Sequence, residues 1–172
     1  MRWASSRRSV ATLAILVVAG LTLGCSGGGE ESPTGASEGL QIADVEFLSL
    51  QLANEARSSQ KVKPALGREP AASQVARRHS EAMRDEGFFG HTNKNGDGLR
   101  RRLDKAGVQY SAAAENLAEV HHRSRPAQLA HEQLMASASH RKNILSPKYR
   151  LAGVGVAKAG DTYWITQIFI KP

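Results

Sequence analysis

Residues 151–170, LAGVGVAKAGDTYWITQIFI, predict a β-hairpin. Two runs typical of strands, the second of them rich in β-branched and aromatic residues, flank the pair Gly160-Asp161, which is typical of a tight turn. In the second run, large apolar side chains occupy odd and even positions alike, so both faces of the strand are apolar. A sheet that is apolar on both faces needs helices on both sides. The hairpin therefore predicts an α+β fold in three layers.

Helical patterns upstream of the hairpin supply the predicted covering layers. Apolar residues recur every three or four positions in residues 44–58 and in residues 70–87, which predicts two amphipathic helices. Asp44 is the expected N-cap of the first helix, and Gly87 is expected to end the second.

Three shorter helical segments are predicted between the second helix and the hairpin. Two of them cover residues 99–107 and residues 126–135. The third is a helical turn that carries His140, and a preceding serine, Ser137 or Ser139, is its expected cap. The helical layers are thus expected to enclose the sheet from both sides.

The N-terminus reads as an export signal. Arg2, Arg7 and Arg8 precede an uncharged, mostly apolar run over residues 10–23. This run is shorter than the roughly 20 residues that span a bilayer, and it fits the hydrophobic region of a signal peptide. Residues 1–24 are therefore predicted to be removed on export.

Cys25 directly follows Leu21-Thr22-Leu23-Gly24, a stretch that resembles the lipobox of bacterial lipoproteins. The resemblance implies cleavage before Cys25 and acylation of its thiol, which would anchor the chain to a membrane. An ordinary secretory signal that leaves a free thiol is the alternative. We expect a protein that is lipid-anchored to the cell envelope, at the outer membrane if the cell has two membranes, or otherwise secreted.

The rest of the chain divides into a tether, residues 25–39, and one folded domain, residues 40–172. The tether is rich in Gly, Ser and Glu, and its apolar content is too low for packing. Because Cys25 is the only cysteine, no disulfide can form within the chain. The domain is long enough to rely on its own hydrophobic core, and we expect it to be a monomer.

The net charge of +7 belongs to residues 40–172, because residues 1–39 hold three Arg and three Glu. The basic residues are scattered and accompany no groove-reading motif, so no nucleic acid is expected as a partner. A basic surface that faces anionic envelope polymers or lipid headgroups is the better interpretation. The densest run, Arg100-Arg101-Arg102, is interpreted as an exposed helix surface.

Three side chains are candidates for a functional site. They are His91 in FFGHT, Glu115 in AENLA, which we assign to a mid-chain loop, and His140 in SASHRKNIL. Two imidazoles and a carboxylate suit a divalent metal ion such as Zn, or a charge-assisted hydrogen-bond network, provided that folding brings them together. Alternatively, Glu115 has a purely structural role, in which its salt bridge to His91 or His140 holds these segments of the chain together.

These motifs, taken in order, resemble the CAP superfamily, also called the SCP or PR-1-like family, in its short bacterial form. The resemblance starts with LANEAR at residues 52–57, covers nearly all of residues 44–172, and is most specific at residues 137–145. It implies an α-β-α sandwich with a central antiparallel sheet.

The same resemblance implies a set of site residues. Family members usually have a cavity cluster of two His and two acidic residues. His91, Glu115 and His140 match three of the four positions, and Ser137 stands at the fourth in place of a carboxylate. His91 and His140 are the implied candidate metal ligands.

The remaining histidines are weaker candidates. His79 lies on the apolar face of the second helix and is interpreted as a core residue. His131 lies on the presumed inner face of its helix and is a less favoured ligand, whereas His121 and His122 are expected to be solvated.

Three classes of function are consistent with this pattern. The favoured one is an envelope module that binds a small lipid, peptide or glycan in a central cleft, with an optional divalent metal at His91 and His140. The second is a metal-assisted hydrolase or peptidase with Glu115 as general base, although the sequence has neither a His-Glu-x-x-His helix nor a Gly-x-Ser-x-Gly elbow. The third is a non-catalytic structural or interaction protein of the envelope.

Overall fold

The structure is a computed structural model that describes residues 34–121 and 124–172, with side chains from residue 42 onward. The predicted signal peptide, Cys25 and most of the predicted tether lie outside the described residues, as do His122 and Arg123. Among the helices of the described part, none is both long enough and apolar enough to cross a membrane.

A four-stranded sheet forms the middle layer. Its strands are β1 (Gly67–Arg68), β2 (Ala112–His121), β3 (Leu151–Ala159) and β4 (Thr162–Lys171), in the spatial order β1-β3-β4-β2. β3 and β4 form the predicted hairpin, and β4 also pairs antiparallel with β2. The three long strands are therefore antiparallel, as expected, and the two-residue β1 adds a parallel pairing to β3.

Five helices flank the described sheet. Their bounds are α1 (Thr34–Ser59), α2 (Pro70–Glu86), α3 (Leu99–Lys105), α4 (Pro126–Ala136) and α5 (Ala138–Ile144). α2 begins as its sequence predicts, because the Glu69 carboxylate accepts a hydrogen bond from the Ala71 N–H and Pro70 occupies the first turn. It ends at Gly87, whose φ of 65° is the left-handed conformation that glycine adopts without strain.

The predicted start of the first helix is wrong. α1 begins at Thr34 rather than at residue 44, so Asp44 lies inside the helix and is not its N-cap. Ile42, upstream of Asp44, packs against the same core as Val45, so the buried apolar stripe and the helix continue N-terminal to Asp44.

The assignment of the Glu115 segment to a loop is also wrong. Residues 112–121 form β2, and each of them has a partner on β4, from Ala112 opposite Lys171 to His121 opposite Thr162. The Ala- and Glu-rich sequence has little intrinsic strand preference, and pairing with the apolar β4 overrides it.

The two faces of the sheet carry separate hydrophobic cores. α1, α4 and α5 cover one face, where Val154, Ile165 and Phe169 are buried. α2 and α3 cover the other, where Ile168 and Ile170 pack. The three-layer α-β-α sandwich is thereby confirmed, and residues that alternate along a strand point into different layers.

Candidate functional site

Glu115 and His91 are in direct contact, as the sequence predicts. The His91 Nδ1–H donates to Glu115 Oε1 at 2.9 Å. The Glu115 side chain is only 2% exposed, whereas the His91 side chain, in the loop after α2, is 58% exposed. The hydrogen bond to the carboxylate raises the pKa of His91 above the ordinary histidine value, against the opposing effects of burial and of Arg102. The pair therefore fixes an imidazole that still faces solvent.

Arg102 completes this network, and its interpretation as part of an exposed helix surface is wrong. Its Nη2 donates to both oxygens of Glu115, at 3.0 and 2.8 Å, and to the backbone carbonyl of His91 at 3.1 Å. The Arg102 side chain is 9% exposed. A signal for this burial exists in the sequence, because Arg102 lies three residues after Leu99 and beside Leu103, on the apolar face of α3.

Asn116, the residue next to Glu115, connects β2 to the opposite layer. Its Nδ2 donates to the backbone carbonyl of His140 at 3.1 Å, and its Oδ1 accepts from Asn143 at 3.0 Å. Because adjacent residues of a strand point to opposite faces, Glu115 reaches α3 while Asn116 reaches α5. Asn116 therefore fixes α5, which carries His140, against the outer edge of the sheet.

The backbone carbonyl of His140 accepts the hydrogen bond from Asn116, the neighbour of Glu115, and the His140 ring makes no hydrogen bond to Glu115 among the described residues. Burial lowers the pKa of His140, and the charge of His91 lowers it further. Among the described residues, Glu115 makes its side-chain hydrogen bonds to His91 and Arg102. The structure thus brings His91 and Glu115 into contact, and it joins the backbone of His140 to Asn116, the residue next to Glu115.

Ser137 stands apart from this network. It occupies the N-cap position of α5, yet its side chain makes no capping hydrogen bond. Its hydroxyl pairs instead with that of Ser139 at 3.1 Å. Ser137 therefore does not replace the missing carboxylate by bonding to Glu115 or to either imidazole in the part of the chain that the structure describes.

The residues present offer at most a two-imidazole metal site. Within the described ranges, no group of three or more His, Cys, Asp or Glu side chains is arranged to hold one ion. Both Glu115 oxygens accept hydrogen bonds from Arg102, which leaves His91 and His140 as the candidate ligands. A carboxylate bonded to one ring nitrogen commonly orients a histidine whose other nitrogen binds metal, and the His91–Glu115 pair fits that supporting role.

The other described histidines lie outside the predicted cluster. His79 is buried as predicted, its Nε2 donates to the Gly90 carbonyl at 2.9 Å, and burial lowers its pKa. This bond fixes the residue before His91. His131 is half-buried on α4 and its pKa is lowered by burial, whereas His121 is exposed and pairs with Thr162.

This three-layer sandwich, with a buried Glu–Arg pair that holds an exposed histidine at the sheet edge, agrees with a family match. Residues 50–169 match CAP, the cysteine-rich secretory protein family. The chain therefore belongs to the CAP family.

Several bacterial proteins are similar to the chain. The Bacillus subtilis protein YkwD is 30% identical over 141 residues, which are 82% of this chain and 52% of that protein. An extracellular SCP-domain protein of Bacillus anthracis has a TM-score of 0.67 and 28% identity, over 84% of this chain and 45% of that one. A cysteine-rich secretory protein of Staphylococcus aureus has a TM-score of 0.59 and 26% identity, over 77% of this chain and 40% of that one. The chain spans about half the length of these relatives or less.

The His91–Glu115 hydrogen bond predicts a titration that NMR can follow. We expect His91 to titrate above, and His140 below, the ordinary histidine pKa of about 6.5. In a Glu115→Gln variant the His91 pKa should fall back toward that value, because the negative charge is lost. Glu119→Gln, on the same strand, is the matched control and should leave His91 unchanged. An identical His91 titration in wild type and Glu115→Gln would contradict the assignment.

Because the pKa of His91 is raised in the folded state, the His91–Glu115 hydrogen bond stabilises the fold at low pH. Protonated His91 bonds to Glu115 only in the folded state, so this contribution is fully present below about pH 6.5. It is lost as the pH rises through the folded-state pKa of His91.

Proposed function

We propose that the chain is an exported module of the bacterial cell envelope, anchored through a lipid on Cys25, that binds a small ligand at the His91–Glu115–His140 site. The observation that carries the proposal is the exposed His91 imidazole held by a buried Glu115–Arg102 pair. Burying a carboxylate is costly, and here it fixes a solvent-facing imidazole. Export is supported by the similarity to the extracellular protein of Bacillus anthracis.

The polarity of the site favours a peptide or glycan over a lipid as the ligand. His91 presents its ring to solvent, and Glu115 accepts a hydrogen bond from its Nδ1, so Nε2 is available to a polar group. Phe89, two residues earlier, is exposed and offers an aromatic surface to an apolar part of the ligand. Sugars and peptides combine these two kinds of surface, whereas an acyl chain needs an apolar channel.

We include in the proposal a divalent metal ion, such as Zn, held by His91 and His140. Glu115 would orient the His91 ring for this purpose, and the bound ion would coordinate an oxygen of the ligand. Since only two protein side chains would bind the ion, its affinity should be below that of a closed four-ligand site.

The arrangement favours binding over the alternative of hydrolysis. A general base needs a carboxylate oxygen that can take up a proton. Both Glu115 oxygens accept hydrogen bonds from the Arg102 guanidinium, and Oε1 also accepts one from His91. Glu115 is thus better suited to positioning His91 than to proton transfer.

An NMR titration of the purified, ¹⁵N-labelled chain tests the ligand class. The probes are hexanoate for lipids, D-Ala-D-Ala for peptides and chitotriose for glycans. We expect the peptide or the glycan to shift the amide signals of His91, Asn116 and His140. His91→Ala should weaken this binding about tenfold, a loss of about 1.4 kcal/mol, while His131→Ala leaves it intact. Shifts that avoid these three residues for all probes would refute the proposed site.

A further inference from the structure

A basic cavity lies between α2 and α3. This α2–α3 cleft has a volume of about 190 Å³. No carboxylate is among the residues that line it, and its polar lining consists of Arg78, His79, Asn93, Arg102 and Lys105. Three of these five side chains carry a permanent positive charge, which is the arrangement that an anion requires.

The cations of the α2–α3 cleft are incompletely neutralised. Arg78 has no hydrogen bond or ion pair within the described part of the chain. Lys105 pairs with Asp97 at 2.5 Å, but Asp97 is also paired with Arg101 at 2.8 Å. Arg102 pairs with Glu115 through Nη2 only. Around the cleft, two carboxylates, Asp97 and Glu115, are thus outnumbered by four permanent positive charges, those of Arg78, Arg101, Arg102 and Lys105.

Arg102 supplies the second observation that points to a ligand. Its Nε and Nη1 are buried and have no hydrogen-bond partner in the described structure. An unpaired buried donor costs roughly 1–3 kcal/mol, and more when the group is charged, so such donors usually have a partner in the functional state. Since Arg102 lines the cleft and its side chain is 9% exposed, a molecule in the cleft is the natural partner.

We propose that the α2–α3 cleft binds a phosphate group, either as free phosphate or as the headgroup of an anionic lipid. Two guanidinium groups and one ammonium group converge on the cavity, and a phosphate has several acceptor oxygens and enough charge to pair with them. Val75, Ala82 and Ala106 form the apolar part of the wall, which lowers the local dielectric constant and strengthens these bonds.

This cleft is separate from the proposed ligand site but shares one residue with it. Nη2 of Arg102 holds Glu115, while Nε and Nη1 of the same guanidinium lack partners. A phosphate bound to Arg102 would therefore lie one side chain away from His91. The two sites can still be tested independently, because Arg78 belongs to the cleft and makes no bond to Glu115.

Isothermal titration calorimetry of the full chain with sodium phosphate, at constant ionic strength, tests the proposal. We expect saturable binding that Arg78→Ala weakens about tenfold or more, as loss of a charge-assisted hydrogen bond implies. Arg84→Ala is the matched control on α2, because Arg84 pairs with Asp85 and does not line the cleft. Phosphate affinity in this control should be unchanged.

A second arm distinguishes the source of the phosphate. Vesicles containing phosphatidic acid should bind the chain in an Arg78-dependent way, in competition with inorganic phosphate, if the ligand is a lipid headgroup. If free phosphate is the ligand, phosphate binds and the vesicles show no Arg78 dependence. Absence of saturable phosphate binding, or equal weakening by Arg78→Ala and Arg84→Ala, would overturn the proposal. His91→Ala should leave phosphate affinity intact. The proposed ligand site at His91, Glu115 and His140 can therefore fail its own test while the α2–α3 cleft still binds phosphate.

Discussion

Replacing Gly155 by alanine is expected to destabilise the fold by about 4 kcal/mol or more, which few single substitutions do. The α2 backbone passes directly over β3, and a methyl group at Gly155 would overlap the backbone atoms of Ala76 and Arg77. Backbone atoms within a helix cannot move aside as a flexible side chain can, so the whole helix would have to shift. That shift would also displace the loop that carries His91.

Urea denaturation, followed by circular dichroism, measures this loss of unfolding free energy. Gly98→Ala is the matched control, because an added methyl there has nothing within 4 Å and the backbone φ of −76° suits alanine. The control should change stability by less than about 1 kcal/mol. A Gly155→Ala protein as stable as the control would show that α2 does not lie this close to β3.

Replacing Arg57 by methionine is expected to lower the free energy of unfolding by about 4 kcal/mol. Arg57 is fully buried, and its guanidinium donates to the carbonyls of Pro64, Ile144, Ser146 and Tyr149. Methionine fills a similar volume but donates nothing, so four carbonyls lose a hydrogen bond at once. No single residue could replace this fork of donors.

Comparison with an exposed arginine separates this effect from a general loss of charge. Arg101→Met makes the same chemical change at a side chain that is 68% exposed, and it should cost less than about 1 kcal/mol. Arg57→Lys keeps the charge with fewer donors, and we expect an intermediate loss in urea denaturation. Equal stability of Arg57→Met and Arg101→Met would mean that the carbonyls around Arg57 find other partners.

The parts of the fold that carry a strong local pattern could be predicted from the sequence. The hairpin follows from its β-branched runs and its Gly160-Asp161 turn, and α2 follows from Pro70 and Gly87 at its ends. β2 could not be predicted in the same way, because its Ala- and Glu-rich sequence becomes a strand only by pairing with β4. Distant pairing of this kind leaves no periodic signal in the segment itself.

The candidate site shows the same division. The motifs around His91, Glu115 and His140 are distinctive in the sequence. Their mutual arrangement, however, depends on which face of β2 the Glu115 and Asn116 side chains occupy. The burial of Arg102 is hard to predict because Arg102 belongs to a run of three arginines, and only its helical phase relative to Leu99 indicates burial. Its role matters, since it neutralises the carboxylate that holds His91.

Whether His91 and His140 share one binding site can be measured by calorimetric titration of the purified full chain with Zn²⁺. We expect measurable zinc binding that the His91→Ala, His140→Ala double variant abolishes, and that Glu115→Gln weakens by about tenfold to a hundredfold through loss of ring orientation. The double variant His121→Ala, His131→Ala, which removes two other imidazoles, should bind zinc as the wild type does. Unchanged zinc affinity in the His91→Ala, His140→Ala protein would show that these two imidazoles do not bind the ion.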